Sequence, residues 1–444
     1  MSAGFALATT LRLSAAAHDA EIGRMDADTL RTTLDTLWRM ESPALLARLA
    51  RQLGDLAQAE ELVQDAWLAA LEHWPARGMP DNPAAWLATA ARNRAIDVLR
   101  QRPRTRDKYE GWALEAAPPA MTAPDDSQAL EDDIGDDLLR LIFVACHPVL
   151  PADARVALTL RLLGGLTTPE IAHAFLVPEP TVAQRIVRAK RTLARRKVRF
   201  EVPRRAALPE RLASVLEVVY LVFNEGYAAS AGEDWMRPSL CEEALRLGRI
   251  LAAHLPARPE VLGLLALMEL QASRGAARVD REGNPVLLAD QDRNRWDRSQ
   301  VARGRAALQR ALALGGGQDR YVLQAAIAEC HATARRLEDT DWRRVAALYA
   351  ALARVAPSPV VELNRVVAVA RAEGTEAAWA LLQPLLADAR LRDYAPLAAV
   401  QGDLLSRLGR PGPARQAFER AASLTANTRE KNALLARARE SSPG

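Results

Sequence analysis

Leu166–Arg196 reads LTTPEIAHAFLVPEPTVAQRIVRAKRTLARR and spaces its apolar residues as two helices around a short turn. Thr168 is placed to cap the first helix, with Pro169 at the favoured first helical position and Ile171, Ala172 and Phe175 turned inward. Leu176-Val177-Pro178 stops it. The second helix sets Val182, Ile186, Ala189 and Leu193 on one stripe. Thr181, Gln184, Arg188, Arg191 and Arg195 fall on the opposite face. Gln and Arg can make bidentate contacts to adenine and guanine edges in the major groove. A solvated, salt-bridged helix would need acids among its bases, yet Glu179–Arg205 holds ten Lys/Arg against two Glu. The stretch predicts a helix-turn-helix that binds DNA.

The rest of the chain is compatible with that reading. Its 444 residues allow two to four domains, and 49% hydrophobic content is ample for full cores. Ala, Leu, Arg and Glu dominate while β-branched runs are short, so an all-α fold is expected. Three widely spaced cysteines, Cys146, Cys241 and Cys330, fit a reducing cytosol better than a disulfide framework. Cys146-His147 and Cys330-His331 lack the companion ligands a zinc site needs. No stretch approaches the ~18 apolar residues of a membrane span, so a cytoplasmic location without membrane partners is expected. Residues 1–29 read as a poorly ordered extension, since Arg12 interrupts their apolar run.

Charge is organised in blocks. Arg92–Lys108 has seven basic residues against two acidic, whereas Tyr109–Asp137 has nine acidic residues and no Lys or Arg. The predicted layout is a basic helical module over 30–104, an acidic linker over 105–137, and the helix-turn-helix module over 138–199. In the first module a helix from Ala57 to Trp74 should stop at Pro75, and Asn82 should cap the next with Pro83 at its first position. Ala84, Leu87, Ala91, Ala95 and Val98 form an inward stripe on that helix. Trp86, Thr89, Asn93, Asp97 and Arg100, flanked by Arg92 and Arg94, form an outer face suited to stacking on unpaired bases. A Trp86 packed beneath the preceding loop accounts for the pattern equally well. On the earlier helix Glu61, Asp65, Leu68 and Glu72 make an acidic stripe around one leucine, which fits a basic protein partner rather than DNA, an ordinary solvated face being the default reading.

AEELVQDAWLAALEHW (Ala59–Trp74) and DNPAAWLATAARNRAIDVLRQ (Asp81–Gln101) resemble region 2 of bacterial sigma factors of the extracytoplasmic-function (ECF) type. DDLLRLIFVACHPVL, followed by ALTLRLLGGLTTPEIAHAFLVPEPTVAQRIVRAKRTL, resembles their region 4. Together the blocks cover residues 30–199. The resemblance implies that Glu60, Glu61, Gln64 and Asp65 dock on core RNA polymerase. It implies that Asn82, Trp86, Arg92, Asn93, Arg94, Asp97 and Arg100 melt and follow the −10 element of promoter DNA. It also implies that Thr181, Gln184, Arg185, Arg188 and Arg191 read the −35 element as duplex. A 33-residue linker spans at most roughly 110 Å, more than the roughly 70 Å between elements two helical turns apart.

Residues 200–444 exceed what such factors usually carry after region 4. They read as helical throughout, with Leu212–Asn224 buried and Gly226 and Gly232 as breaks. Gly402, Leu405, Gly409, Ala414, Phe418 and Ala421 fall at tetratricopeptide-like (TPR-like) spacings, Phe418 filling the gap left by small residues. A looser copy runs from Val360 to Leu386 with Gly374 at its turn, and further helix pairs are expected from about Pro256 onward. Asp290-Gln291-Asp292-Arg293 and Asp339-Thr340-Asp341-Trp342 bring carboxylates together as metal or acid chemistry would, but the second run sits where a helix starts, and capping is the cheaper account of it. With no nucleophile–base pair, phosphate loop or metal cluster, no catalytic residue, metal or cofactor is expected. The whole chain resembles the ECF subgroup with a fused C-terminal helical-repeat domain, whose extension is implied to modulate activity and to bind an unidentified protein or peptide. The alternative is a helix-turn-helix regulator with a TPR-like sensing domain, which leaves Ala59–Gln101 without a role.

Overall fold

The computed structural model describes residues 27–100, 127–229 and 231–441. The N-terminal extension up to residue 26 and the linker from 105 to 126 lie outside the described residues. The described chain is helical but for one pair of two-residue strands. It forms two compact units, one containing the chain up to Ile171 and Glu179–Val215, the other Ala172–Pro178 and Leu216–Gly444.

The first unit begins with α1 (Ala27–Leu53), α2 (Leu56–Arg77) and α3 (Pro83–Arg100). Gly54 takes φ +67°, and Asp55 caps α2 by accepting from Ala57 N at 3.0 Å and Gln58 N at 3.2 Å. Helix α2 does not stop at Trp74. It runs through Pro75 to Arg77, because a proline in the last turn forfeits only one backbone hydrogen bond. Gly78 ends it instead, at φ +82° with its N–H returned to the Trp74 carbonyl at 2.9 Å. Asn82 caps α3 as expected, its Oδ1 accepting from Ala85 N at 3.0 Å. The buried row on α3 is Leu87, Ala91, Ala95 and Leu99, so Leu99 takes the place expected of Val98. Helix α1 packs on both α2 and α3.

Next come α4 (Ser127–Ala145), α5 (Ala152–Leu162), α6 (Thr168–Phe175) and α7 (Glu179–Arg195). The last part of the expected acidic linker is therefore helix. Asp137, 1% exposed, is held by Arg51 of α1 at 2.9 Å and by Arg140 one turn along, which anchors α4 against α1. Arg155 and Ser214, both buried, then tie α5 to the start of α8 (Leu208–Tyr227), where Ser214 Oγ donates to the Cys146 carbonyl at 2.5 Å.

The boundary between units falls within α8. Gly226 sits one residue before the end of α8. It lies inside the helix, where an added Cβ would come within 2.7 Å of the Cys241 backbone nitrogen. The second unit continues with β1 (Ala231–Gly232), α9 (Pro238–His254), α10 (Pro259–Ala272), α11 (Arg298–Ala313), α12 (Arg320–Thr333) and α13 (Trp342–Val355). Then follow α14 (Pro359–Ala372), α15 (Thr375–Leu386), α16 (Ala395–Arg407), α17 (Pro411–Leu424), β2 (Ala426–Asn427) and α18 (Thr428–Glu440). From α9 to α18 most helices pack on their sequence neighbours, and α12 packs most on α10, two along, as in a helical repeat. Gly402 of α16 lets the buried Phe418 of α17 approach so closely that a Cβ would meet its ring at 2.8 Å. Gly374, at φ +107°, makes the α14–α15 turn.

The two ends of this unit meet. Strand β1 pairs in parallel with β2, Ala231 opposite Ala426 and Gly232 opposite Asn427. Asn427 is 1% exposed; its amide donates to the Asp234 carbonyl at 2.9 Å while its Oδ1 caps α18. Arg429 reaches the Glu282 carbonyl at 2.6 Å. Helix α18 packs on α17, Leu434 and Ala438 joining the core around Phe418, and so covers the last helix pair.

Candidate nucleic-acid interface

The helix-turn-helix is built as the spacing indicates, with one shift at its start. Thr167, not Thr168, caps α6: its hydroxyl accepts from Glu170 N at 3.3 Å, and Glu170 Oε2 accepts from Thr167 N at 2.7 Å. This reciprocal box leaves Thr168 and Pro169 inside the first turn. Glu170 also pairs with Arg39 at 2.6 Å, and Trp38 Nε1 donates to the Gly165 carbonyl at 3.0 Å. Between the helices Leu176 adopts φ +48° and Val177 N–H bonds the Ala172 carbonyl at 3.1 Å. A left-handed leucine costs roughly 1–2 kcal/mol, so the turn is imposed by its surroundings.

Val182, Ile186, Ala189 and Leu193 of α7 are buried, which fixes the helix's rotation. The remaining side chains then divide. Gln184, Arg188, Arg191 and Arg195 are exposed, and the three arginines have no ion-pair partner among the described residues; Thr181 is partly buried at the edge. Two other bases turn inward: Arg185 pairs with Asp153 at 2.9 Å, and Lys190 with Glu60. The outer row is thus a cationic surface with no internal counter-charge, the electrostatic arrangement that phosphate binding requires.

On α2, Glu61 and Gln64 are exposed and Asp65 partly so, around Leu68 at 57% exposure. Glu60 differs. It is 8% exposed and held by Lys190 and by Arg161 at 3.7 Å. Of the four residues expected to meet a partner, Glu60 is the one occupied inside the unit.

On α3, Asn93, Asp97 and Arg100 are exposed, Asp97 and Arg100 standing 3.9 Å apart; Arg92 and Arg94 are partly covered. Asn82 is exposed at the start of the helix. Trp86 is partly buried, with its ring edge-on to Trp74 at 5.5 Å and tilted to His73 at 6.3 Å. It is a half-supported ring rather than a fully exposed one, combining the two sequence readings. Nothing in local spacing announced Asp153, Lys190 or Arg161 as partners, because each pairs across at least thirty residues of chain.

No group of His, Cys, Asp or Glu able to hold a metal occurs among the described residues, and Asp292 and Asp341 serve as helix caps. The three cysteines are buried and free, with burial pushing the Cys146 thiol up to about 11. No helix of the described residues is long and apolar enough to cross a membrane.

Residues 37–105 match the family model Sigma-70 region 2, and residues 140–193 match Sigma-70, region 4. Residues 211–312 match a family of unknown function, DUF6596. The chain is 35% identical to the ECF RNA polymerase sigma factor SigL of Mycobacterium tuberculosis, over 34% of this chain and 82% of the relative. It is 30% identical to SigJ, another ECF RNA polymerase sigma factor of that organism, over 34% of this chain and 46% of the relative. A Rhizobium meliloti protein described as uncharacterized, R00370, is 43% identical over 87% of this chain and 91% of its own length.

Proposed function

The chain belongs to the ECF RNA polymerase sigma factors, and from that premise we propose that it binds core RNA polymerase and directs initiation at promoters with −35 and −10 elements. Glu61, Gln64 and Asp65 meet the polymerase, joined by Glu60 once its pair with Lys190 opens. Asn82, Trp86, Arg92, Asn93, Arg94, Asp97 and Arg100 handle the −10 strand. Thr181, Gln184, Arg185, Arg188 and Arg191 read the −35 duplex, and the C-terminal unit modulates the outcome. The observation that carries the reading is the exposed row Gln184, Arg188, Arg191 and Arg195 on a helix whose other two bases, Arg185 and Lys190, are internally paired.

Reach supports it as well. Because α4 begins at Ser127, the chain available between Arg100 and α4 is 26 residues, Gln101 to Asp126. Fully extended these span about 90 Å, still more than the roughly 70 Å between elements two helical turns apart. Separation requires the Glu60–Lys190, Glu60–Arg161, Arg39–Glu170 and Arg51–Asp137 pairs to part. Polymerase binding at the α2 face competes directly with the first of them.

Run-off transcription with purified core polymerase tests the proposal. Specific initiation that depends on this protein is expected, and Glu61→Lys should impair core binding while leaving the affinity of the helix-turn-helix for duplex DNA intact. Duplex binding without core binding or initiation would favour the simple helix-turn-helix regulator.

A further inference from the structure

The C-terminal unit contains a part-open cavity of about 420 Å³, within the range that holds small-molecule ligands. Its wall comes from α8, α10, α12, α13 and α14, so several successive repeats face it together. Leu270, Ile327, Leu352 and Val360 supply an apolar side. Arg274, His331, Tyr349, Gln271 and Asn364 supply a polar one, and no Asp or Glu lines the cavity.

The polar side lacks counter-charge. Arg274, Arg278 and Arg293 are clustered around Tyr227 and Trp296, and none makes an ion pair among the described residues. Arg278 and Arg293 are each 8% exposed. Their hydrogen bonds go to neutral acceptors: Arg278 to the Tyr227 carbonyl at 3.0 Å, Arg293 to the His331 carbonyl at 2.6 Å and the Ala334 carbonyl at 2.9 Å, and Arg274 to the Tyr227 hydroxyl. Arg274 Nε and His331 Nδ1 are buried without any partner. Asp339 and Glu338 bear on Arg293 from beyond ion-pair distance. Buried cations without a carboxylate are costly, and a bound anion is the ordinary way to offset them.

We propose that this cavity binds a small amphiphilic carboxylic acid, its carboxylate at Arg274 beside Tyr349 and Gln271 and its hydrocarbon part against Leu270, Ile327, Leu352 and Val360. Tyr349 and Gln271 make no side-chain hydrogen bond among the described residues, so both are free to donate. Arg274 is the group shared by the cationic cluster and the cavity lining, which couples occupancy to the order of the α10–α12 region. The site is independent of the promoter-reading faces and stands or falls without them.

Calorimetric titration of the full chain with octanoate, octanamide and octylammonium tests it, alongside a tetrapeptide ending in leucine with a free or an amidated carboxyl group. Binding of octanoate or of the free-acid peptide, at least tenfold tighter than the neutral and cationic analogues, is expected. Octanoate alone would mark a free acid as the occupant, and the free-acid peptide alone a chain end bearing the same group. Ala328→Trp, which fills the cavity from a partly exposed position on α12, should abolish binding, and Tyr349→Phe should weaken it several-fold. Arg274→Gln should weaken it at least tenfold if that variant folds. Equal binding of octylammonium, no binding of either carboxylate, or binding unaltered by Ala328→Trp would overturn the proposal.

Discussion

Arginines without carboxylate partners occur in both units, and their surroundings give them opposite meanings. On α7, Arg188 and Arg191 project into water, where an unpaired guanidinium costs nothing and is ready to meet phosphate or a base edge. In the C-terminal unit, Arg278 and Arg293 are almost fully buried, and burial depresses the pKa of both. There the same side chain spends its donors on backbone carbonyls and becomes part of the scaffold. Charge alone therefore does not identify a nucleic-acid face; the decisive property is charge that is both unpaired and exposed.

The contrast breaks most visibly at Arg293. Arg293→Ala strips donors from the His331 and Ala334 carbonyls at the end of α12. A loss of about 3 kcal/mol is expected in chemical denaturation of the C-terminal unit; a loss below about 1 kcal/mol would show that these bonds are replaceable by water. Arg188→Ala should behave in the reverse sense. Its stability should stay within about 0.5 kcal/mol of the parent, whereas −35 duplex binding should weaken by roughly 1–3 kcal/mol. If Arg191 holds a phosphate, Arg191→Ala should also flatten the salt dependence by about one unit of slope. Unchanged affinity in both variants would move the DNA contact away from this row.

A smaller effect links the buried arginines to pH. Burial first, then Arg274 and Arg293, push His331 from its ordinary 6.5 down to about 4. The folded protein then holds it neutral while the unfolded chain takes up a proton near pH 6.5. Its contribution to stability is intact above that value and is lost as pH falls toward about 4. His147 behaves likewise through burial and Arg211. Melting temperature should fall across this interval, and His331→Phe should remove one proton's share of the slope for the C-terminal unit. The smallest change is expected at Arg185→Ala, where the Asp153 pair is partly exposed and worth less than about 1 kcal/mol. Its effect on stability separates Arg185, which has an internal partner, from Arg188 and Arg191, which have none among the described residues.

Helix identity was legible because amphipathic spacing and caps are local properties. The α7 stripe, the Asn82 cap and the Gly402–Phe418 contact all follow from residues within about one helical hairpin of one another. Several boundaries were not legible. Pro75 stays helical because only its final turn is affected, Thr167 displaces Thr168 because Glu170 answers it, and α4 captures the end of the acidic segment because Arg51 waits on α1. The last depends on a partner far along the chain, whereas the Thr167–Glu170 box and the Pro75 turn are local features that apolar spacing does not display.

By itself the sequence determined an all-helical chain with two basic modules, an outward Gln–Arg row and a C-terminal helical repeat, since periodicity and charge are written residue by residue. Tertiary structure alone decided which of the charges are available. It turned Glu60 and Lys190 toward each other, drew Arg185 to Asp153, buried Arg278 and Arg293, and joined the ends of the C-terminal unit through β1 and β2. The physical reason is that solvation and pairing depend on what approaches through space, and those approaches link residues far apart in the chain.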